Sequence, residues 1–138
     1  MAVPHQKFRE IVFQMLYSLD VGKAKDEDML PILMEELSVS KQAVQMAQER
    51  VHRLMEKIDE IDPLISEKSL SYDFERIQSV ERNILRLGVY ELLFDDAIPE
   101  KVAISEAMRL ARKFGSPESS TFVNAILDSI MKQKPKHV

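Results

Sequence analysis

Few side chains in this 138-residue sequence have the spacing of a catalytic or metal-binding group. The three histidines, His5, His52 and His137, have no cysteine partners and no His-x-x-x-His spacing, which argues against a metal site. The neighbouring acids at 59–62 end a predicted helix, where a charged run is typically solvated. No serine lies in a Gly-x-Ser-x-Gly turn. These patterns predict a binding protein without a cofactor rather than an enzyme.

Side chains suited to binding occur in the first predicted helix, in the segment FREIVFQMLYSLD at 8–20. Its apolar stripe has helical spacing and contains Phe8, Ile11, Val12, Met15, Leu16 and Leu19. At about 100° per residue, Tyr17 points almost directly away from this stripe, and Phe13 and Arg9 share that second side. One buried stripe is enough to dock a helix, so the second side needs its own explanation.

Composition excludes several classes of protein. The chain is 45% hydrophobic and 30% charged, which is typical of one globular domain. It has no cysteine, no apolar run of about 18 residues and no apolar signal-peptide core, so we expect a cytoplasmic protein without a membrane segment. Residues 1–100 carry a net charge of −8 and residues 101–138 a net charge of +4. Such asymmetry accompanies nucleic-acid binding, although scattered charges also produce it.

Every periodic segment has helical spacing, so we predict an all-α bundle. The third of seven helices is capped by Ser38 or Ser40 and ends before Pro63, which restarts the chain. The predicted helices are residues 5–19, 29–37, about 40–61, 64–70, 79–94, 101–114 and 117–133.

Individual residues predict where the last three helices begin, end and approach one another. Ser79 is the predicted N-cap of the fifth helix, and Gly115 ends the sixth. Ser116 caps the seventh helix, with Pro117 at its first position. Gly88, inside the fifth helix, costs about 1 kcal/mol relative to alanine, which predicts another backbone crossing close by.

Four segments of the sequence together resemble one family. FREIVFQMLYSLD, VERNILRLGVYELLF, IPEKVAISEAMRLARKFG and SSTFVNAILDSI resemble, in order and spacing, segments of the NusB family of bacterial transcription antitermination factors. The resemblance implies one helical RNA-binding domain with two halves, about 1–75 and 76–138. It also implies a non-enzymatic factor that pairs with ribosomal small-subunit protein S ten (NusE), binds boxA RNA of ribosomal RNA leaders and helps RNA polymerase resist termination.

The resemblance assigns two residues to the protein partner. Tyr17 matches a tyrosine that faces the ribosomal protein, and Glu81 matches a partner-facing acid. A tyrosine suits an interface because its ring is buried on binding while its hydroxyl stays hydrogen-bonded. The alternative is that the first helix is enclosed on all sides and that Phe13 and Tyr17 are both core. We expect Phe13 in the core and Tyr17 at the interface.

The resemblance also assigns an RNA surface to the start of the first helix. Where the family has several arginines, this chain has HQKFRE, which leaves Lys7 and Arg9 with His5. Because phosphate contacts supply much of RNA affinity and its salt dependence, this depletion predicts weaker binding and a shallower salt slope. Other cations compensate if they share this face, namely Arg82, Arg86, Lys101, Arg112 and Lys113.

The second predicted RNA surface is the start of the last helix. Phe122 matches a family aromatic on which an RNA base stacks; the alternative is that it packs inward beside Val123 and Ile126. Lys113, Glu118 and Ser119 belong to the same predicted RNA set, beside a helix N-terminus that offers N–H groups to a phosphate. The charge of Glu118 opposes this contact.

Two alternatives stay open. The chain is a protein-interaction module with little RNA affinity, as the depleted basic cluster suggests, or it is an appendage like the domain fused to some ribosomal RNA methyltransferases. The chain ends at Val138, and we expect no methyltransferase in it. Some family members form homodimers that hide the RNA face, so a homodimer of the free protein is also considered.

Overall fold

The helices predicted from periodicity dominate the computed structural model, which describes residues 5–22, 40–69 and 73–133. These ranges contain six α-helices, one 3₁₀ turn at Phe74–Arg76 and no strand, which confirms the all-α prediction. The predicted helix at 29–37 and the lysine-rich end lie outside the described residues. None of the described helices is long and apolar enough to cross a membrane. The helices are α1 His5–Asp20, α2 Lys41–Glu56, α3 Ile58–Lys68, α4 Ser79–Phe94, α5 Glu100–Phe114 and α6 Pro117–Gln133.

The chain divides into two compact units, Met1–Glu56 and Lys57–Val138. The second unit includes α3, because α3 packs against α4 and α6. The expected halves of the domain, about 1–75 and 76–138, stay a prediction.

The junction between α2 and α3 corrects the predicted third and fourth helices. Ser40 does cap α2, since its Oγ accepts the backbone N–H of Ala43 at 3.1 Å. However, the helix breaks at Lys57, and α3 then continues through Pro63 instead of restarting there. Ile61 and Ile65, four residues apart on one face, are fully buried while Pro63 is exposed. Burial of that apolar face outweighs the one backbone hydrogen bond that proline removes.

In the first unit, α1 packs against α2. The predicted stripe of α1 is buried at its centre, at Ile11, Val12, Met15 and Leu16, whereas Phe8 and Leu19 at its ends are half-buried. The complementary stripe of α2 is also buried and consists of Ala43, Val44, Ala47, Val51 and Leu54. Both helices thus bury the side that the sequence pattern indicates.

In the second unit, α4, α5 and α6 pack against one another, and α3 packs against α4 and α6. The largest fully buried side chains of this unit come from all four helices and are Ile61, Ile65, Ile84, Leu85, Leu92, Leu110, Leu127 and Ile130. The central position predicted for α4 follows from its contacts with three neighbouring helices.

Arg86 ties α4 to α3. Its Nε and Nη2 donate to the two carboxylate oxygens of Asp62, each at 2.9 Å, and its Nη1 donates to Oδ1 of Asn83 at 3.2 Å. Both partners of the ion pair are largely buried. A two-pronged arginine–carboxylate pair in this setting fixes the relative orientation of the helices as well as their distance.

Gly88 lies where α4 faces both α5 and α6. A Cβ at this position would lie 2.8 Å from Cδ1 of Leu127 and 3.5 Å from Cβ of Ala107. The neighbours are therefore side chains and not the crossing backbone that the sequence suggested. The glycine still serves close helix packing, because a larger side chain would displace the fully buried Leu127.

Gly88→Val should lower the free energy of unfolding by about 1–3 kcal/mol, the usual cost of overpacking a core. Ala125→Val, at an exposed position of α6, is the matched control and should cost less than about 0.7 kcal/mol. Denaturant unfolding measures both. If the clash with Leu127 is the cause, Gly88→Val combined with Leu127→Ala will cost less than the sum of the two single changes. Strict additivity would contradict this explanation.

Candidate nucleic-acid and protein interfaces

The second side of α1 carries one buried and one exposed aromatic ring. Phe13 is only 3% exposed, which confirms its expected place in the core, whereas Tyr17 is 36% exposed. Their ring centroids lie 6.2 Å apart with the planes tilted by 41°. Phe13 therefore lies beside Tyr17, and the tyrosine exposes about a third of its amphipathic side chain to solvent. Its contact with a partner stays a prediction.

The start of α1 offers fewer accessible cations than its sequence suggested. His5 is exposed and Lys7 is half-buried, but Arg9 is only 7% exposed, and the neighbouring Glu10 is equally buried. Arg9 was expected beside Lys7 as an RNA contact, and its burial leaves little of the guanidinium for a phosphate. The first turn of α1 contains no acidic residue, so its N-terminal dipole is not opposed by a local negative charge.

A tight turn joins α5 to α6. A Cβ on Gly115 would lie 2.8 Å from Oγ of Ser119 and 2.9 Å from the carbonyl oxygen of Ala111, so only glycine fits. Ser116 caps α6 as predicted, because its Oγ accepts the N–H of Ser119 at 3.2 Å. The Ser119 hydroxyl lies 3.2 Å from that of Ser116 and is 2% exposed. The Ser119 hydroxyl therefore helps to hold the turn, and its contact with RNA stays a prediction.

Two exposed cations, Arg112 and Lys113, end α5 beside this turn. Nη1 of Arg112 donates to the hydroxyl of Ser120 at 3.3 Å, which connects the end of α5 to the start of α6. Glu118 is exposed in the first turn of α6, and Phe122, one turn later, is half-buried. Part of the Phe122 ring therefore packs while another part meets solvent. We call this group, Arg112, Lys113, Glu118 and Phe122, the α5–α6 cluster.

The other cations expected to compensate do not join the α5–α6 cluster. Arg86 is held by Asp62, and Arg82 donates to the carbonyl of Ile77 and the hydroxyl of Ser79, each at 3.2 Å. Lys101 lies in the first turn of α5, about 17 Å along the helix axis from Arg112 at 1.5 Å per residue. Of the five cations expected to compensate, Arg112 and Lys113 adjoin the turn that leads into α6.

The start of α4 differs from the sequence prediction. Ser79 is the first helical residue and not the N-cap; the N-cap is Gln78, which makes no side-chain capping bond. Glu81 is half-buried in this first turn. Sequence reasoning missed Phe74, whose ring lies 5.7 Å from the guanidinium carbon of Arg82. A short 3₁₀ turn before an uncapped helix leaves no periodic signal that would have pointed to it.

The acidic run at 59–62 is partly structural. Asp62 belongs to the ion pair with Arg86, while Asp59 and Glu60 are exposed. Within the described parts of the chain, no group of three or more histidine, cysteine, aspartate or glutamate side chains is arranged to hold a metal ion.

Comparison with known proteins identifies the fold and the family. The model of the NusB family matches residues 6–132. The chain is 36% identical to the transcription antitermination protein NusB of Desulforudis audaxviator, over 94% of each chain. It is also 36% identical to that of Chlamydia pneumoniae, over 92% of this chain and 79% of the relative.

Solved structures of NusB proteins have the same fold as this chain. T. maritima NusB superposes with a TM-score of 0.80 at 37% identity, covering 97% of this chain and 94% of that chain. A chain from a structure of the antitermination factors NusB and NusE in complex with dsRNA has a TM-score of 0.78 at 32% identity, covering 93% of this chain and 96% of that chain. The chain therefore belongs to the NusB family of transcription antitermination factors, which are RNA- and protein-binding proteins and not enzymes.

Proposed function

We propose that this protein pairs with ribosomal small-subunit protein S ten (NusE), binds boxA RNA of ribosomal RNA leaders with it, and joins the complex that helps RNA polymerase resist termination. The related NusB seen with NusE and dsRNA supports this pairing. The observation that carries the proposal is the exposed Tyr17 ring above the buried Phe13. A role in bacterial transcription makes the cytoplasm the proposed place of action.

The proposed protein-binding residues are Tyr17 and Glu81, each considered within its own unit. Tyr17 is an exposed aromatic side chain whose ring centroid lies 6.2 Å from that of Phe13. A tyrosine has few rotatable bonds, so its burial in an interface costs little conformational entropy. Glu81 adds a carboxylate in the first turn of α4. Its negative charge complements cations on the partner.

The proposed RNA-binding residues form two groups. In the α5–α6 cluster, Arg112 and Lys113 supply cations for phosphates, Phe122 supplies a ring for a base, and the N-terminus of α6 supplies N–H groups. Glu118 reduces the attraction by its charge. At the start of α1, His5 and Lys7 are the accessible groups, and the buried Arg9 supports the helix that carries them.

The small number of accessible cations favours an RNA-binding surface that the two proteins share. A single-stranded RNA contact with Z phosphates gives a salt slope of about −0.7Z, so few cations mean weak binding by this chain alone. The partner then supplies the rest of the RNA surface. The competing function, a protein-interaction module with little RNA affinity, rests on the same scarcity and on the burial of Arg9.

Titration of the protein into labelled boxA RNA, with and without protein S ten and at two salt concentrations, tests the proposal directly. We expect binding that is weak alone, tighter with the partner and weaker at high salt. A boxA sequence with scrambled order is the matched RNA control. No RNA binding in any condition, with the protein pair intact, would favour the interaction module. Sedimentation of the free protein at the same concentrations checks whether it forms a homodimer.

Tyr17→Asp should weaken the pairing with protein S ten by about 2 kcal/mol or more, because it removes an aromatic anchor that binding buries and places a charge in the interface. Met46→Asp introduces the same charge at another exposed apolar position of the first unit and should leave the affinity unchanged. Calorimetric titration measures both. Equal affinity for wild type and Tyr17→Asp would remove Tyr17 from the interface.

Phe122→Ala should lower RNA affinity by about 1–3 kcal/mol, the range for loss of one base-stacking ring, without changing the affinity for protein S ten. Phe94→Ala, at a half-buried phenylalanine in the last turn of α4, is the control for general loosening of the second unit. Loss of thermal stability and of the protein pair together would instead assign Phe122 to the core.

A further inference from the structure

The start of α4 is held without the usual side-chain cap. Gln78 makes no capping bond, yet the turn before the helix is fixed by an arginine. Nη1 of Arg82 donates to the carbonyl oxygen of Ile77, and Nη2 donates to the hydroxyl of Ser79. One planar guanidinium thereby joins a residue before the helix to the first residue within it. We call this arrangement the arginine clamp.

Phe74 connects the arginine clamp to the rest of the second unit. The guanidinium carbon of Arg82 lies 5.7 Å from the ring centroid and that of Arg86 lies 5.5 Å from it. The negative face of an aromatic ring attracts both cations and offsets their mutual repulsion. Arg86 is in turn fixed by its two bonds to Asp62 on α3.

Asn83 fixes the same turn from inside. It is fully buried, and its Nδ2 donates to the carbonyl oxygen of Ser79 at 2.8 Å, while its Oδ1 accepts from Arg86. The carbonyl and the hydroxyl of Ser79 are thus both engaged, one by Asn83 and the other by Arg82. The backbone two residues before Glu81 has little freedom to move.

We propose that Phe74 and Arg82 are positioning residues that hold Glu81 in the orientation required by the protein partner. The inference rests on the proposed function, which assigns Glu81 to that interface. Glu81 lies between Ser79 and Arg82, the two residues of α4 that the arginine clamp joins. Its carboxylate is therefore presented from a turn that is ordered before binding, which removes an entropic cost from association.

Phe74→Leu tests this role, because it removes both cation–ring contacts and keeps an apolar side chain. We expect it to weaken the binding of purified protein S ten about three- to tenfold. Phe74→Tyr retains the ring and should bind like wild type. Phe94→Leu is the matched control at the other end of α4, where Nζ of Lys57 lies 5.3 Å from the Phe94 ring, and should leave the affinity unchanged.

A double-mutant cycle with Glu81→Gln separates positioning from a general structural role. If Phe74 acts through Glu81, Phe74→Leu will cause no further loss of affinity in the Glu81→Gln background. Arg82→Lys, which keeps the charge but not the planar fork, gives a second variant with the same expectation should Phe74→Leu not fold. Circular dichroism melting confirms that each tested variant is folded.

The outcomes distinguish this inference from the proposed function. An equal loss of affinity in both backgrounds overturns the positioning role and leaves a merely structural one. Weakening by Glu81→Gln with no effect of Phe74→Leu or Arg82→Lys also overturns it, while the proposed interface stands. Unchanged affinity of Glu81→Gln removes Glu81 from the interface and overturns the positioning role, while the proposed pairing is tested separately by Tyr17→Asp.

Discussion

The close approach of α6 to its neighbours is the constraint on which the second unit depends. Gly88 lets Leu127 pack directly on α4, and Gly115 lets Ser119 approach the end of α5. Neither glycine has a side chain that would keep its neighbour away, and the absence of a Cβ allows the close packing at both positions. The α5–α6 cluster is a consequence, because the turn that Gly115 permits brings the cations at the end of α5 beside the first turn of α6.

The buried arginines show what sequence spacing could not predict. Helical periodicity correctly placed the centres of the apolar stripes, but it did not separate the exposed Tyr17 from Arg9 and Phe13, which share its side of α1 and are buried. It could not distinguish an arginine that binds a partner from one that holds the fold. Arg86 is committed to Asp62, which is distant in sequence, and Arg9 is buried. From the sequence, both arginines are candidate RNA contacts. Which group pairs with a buried charge is decided by the tertiary structure, and the sequence does not show it.

Pro63 and Ser79 mark a second limit, that of local rules for helix ends. Proline usually restarts a helix, but here it occupies the exposed side of α3 between two buried isoleucines, and burial decides. Serine usually caps a helix, but the hydroxyl of Ser79 accepts a bond from Arg82 inside the first turn. At Pro63 the local preference is smaller than the burial that opposes it, and at Ser79 the hydroxyl is engaged by a side chain of the same helix. By contrast, Ser40 and Ser116 meet no such opposition and cap as predicted.

The supports of the candidate residues differ in a way that matches the two kinds of recognition. The ring of Tyr17 lies 6.2 Å from that of Phe13, and Glu81 lies in the turn that the arginine clamp holds. Lys7 and Lys113 instead carry a point charge at the end of a long side chain, and Nζ of Lys113 lies 5.6 Å from the Phe114 ring centroid. A protein interface gains from fixed side chains because each immobilised rotamer costs free energy on binding. Phosphate attraction tolerates motion because it depends on charge and distance more than on direction. In the proposed function, the protein pairing is therefore the step that this fold prepares, and RNA binding follows from the charges that the pair brings together.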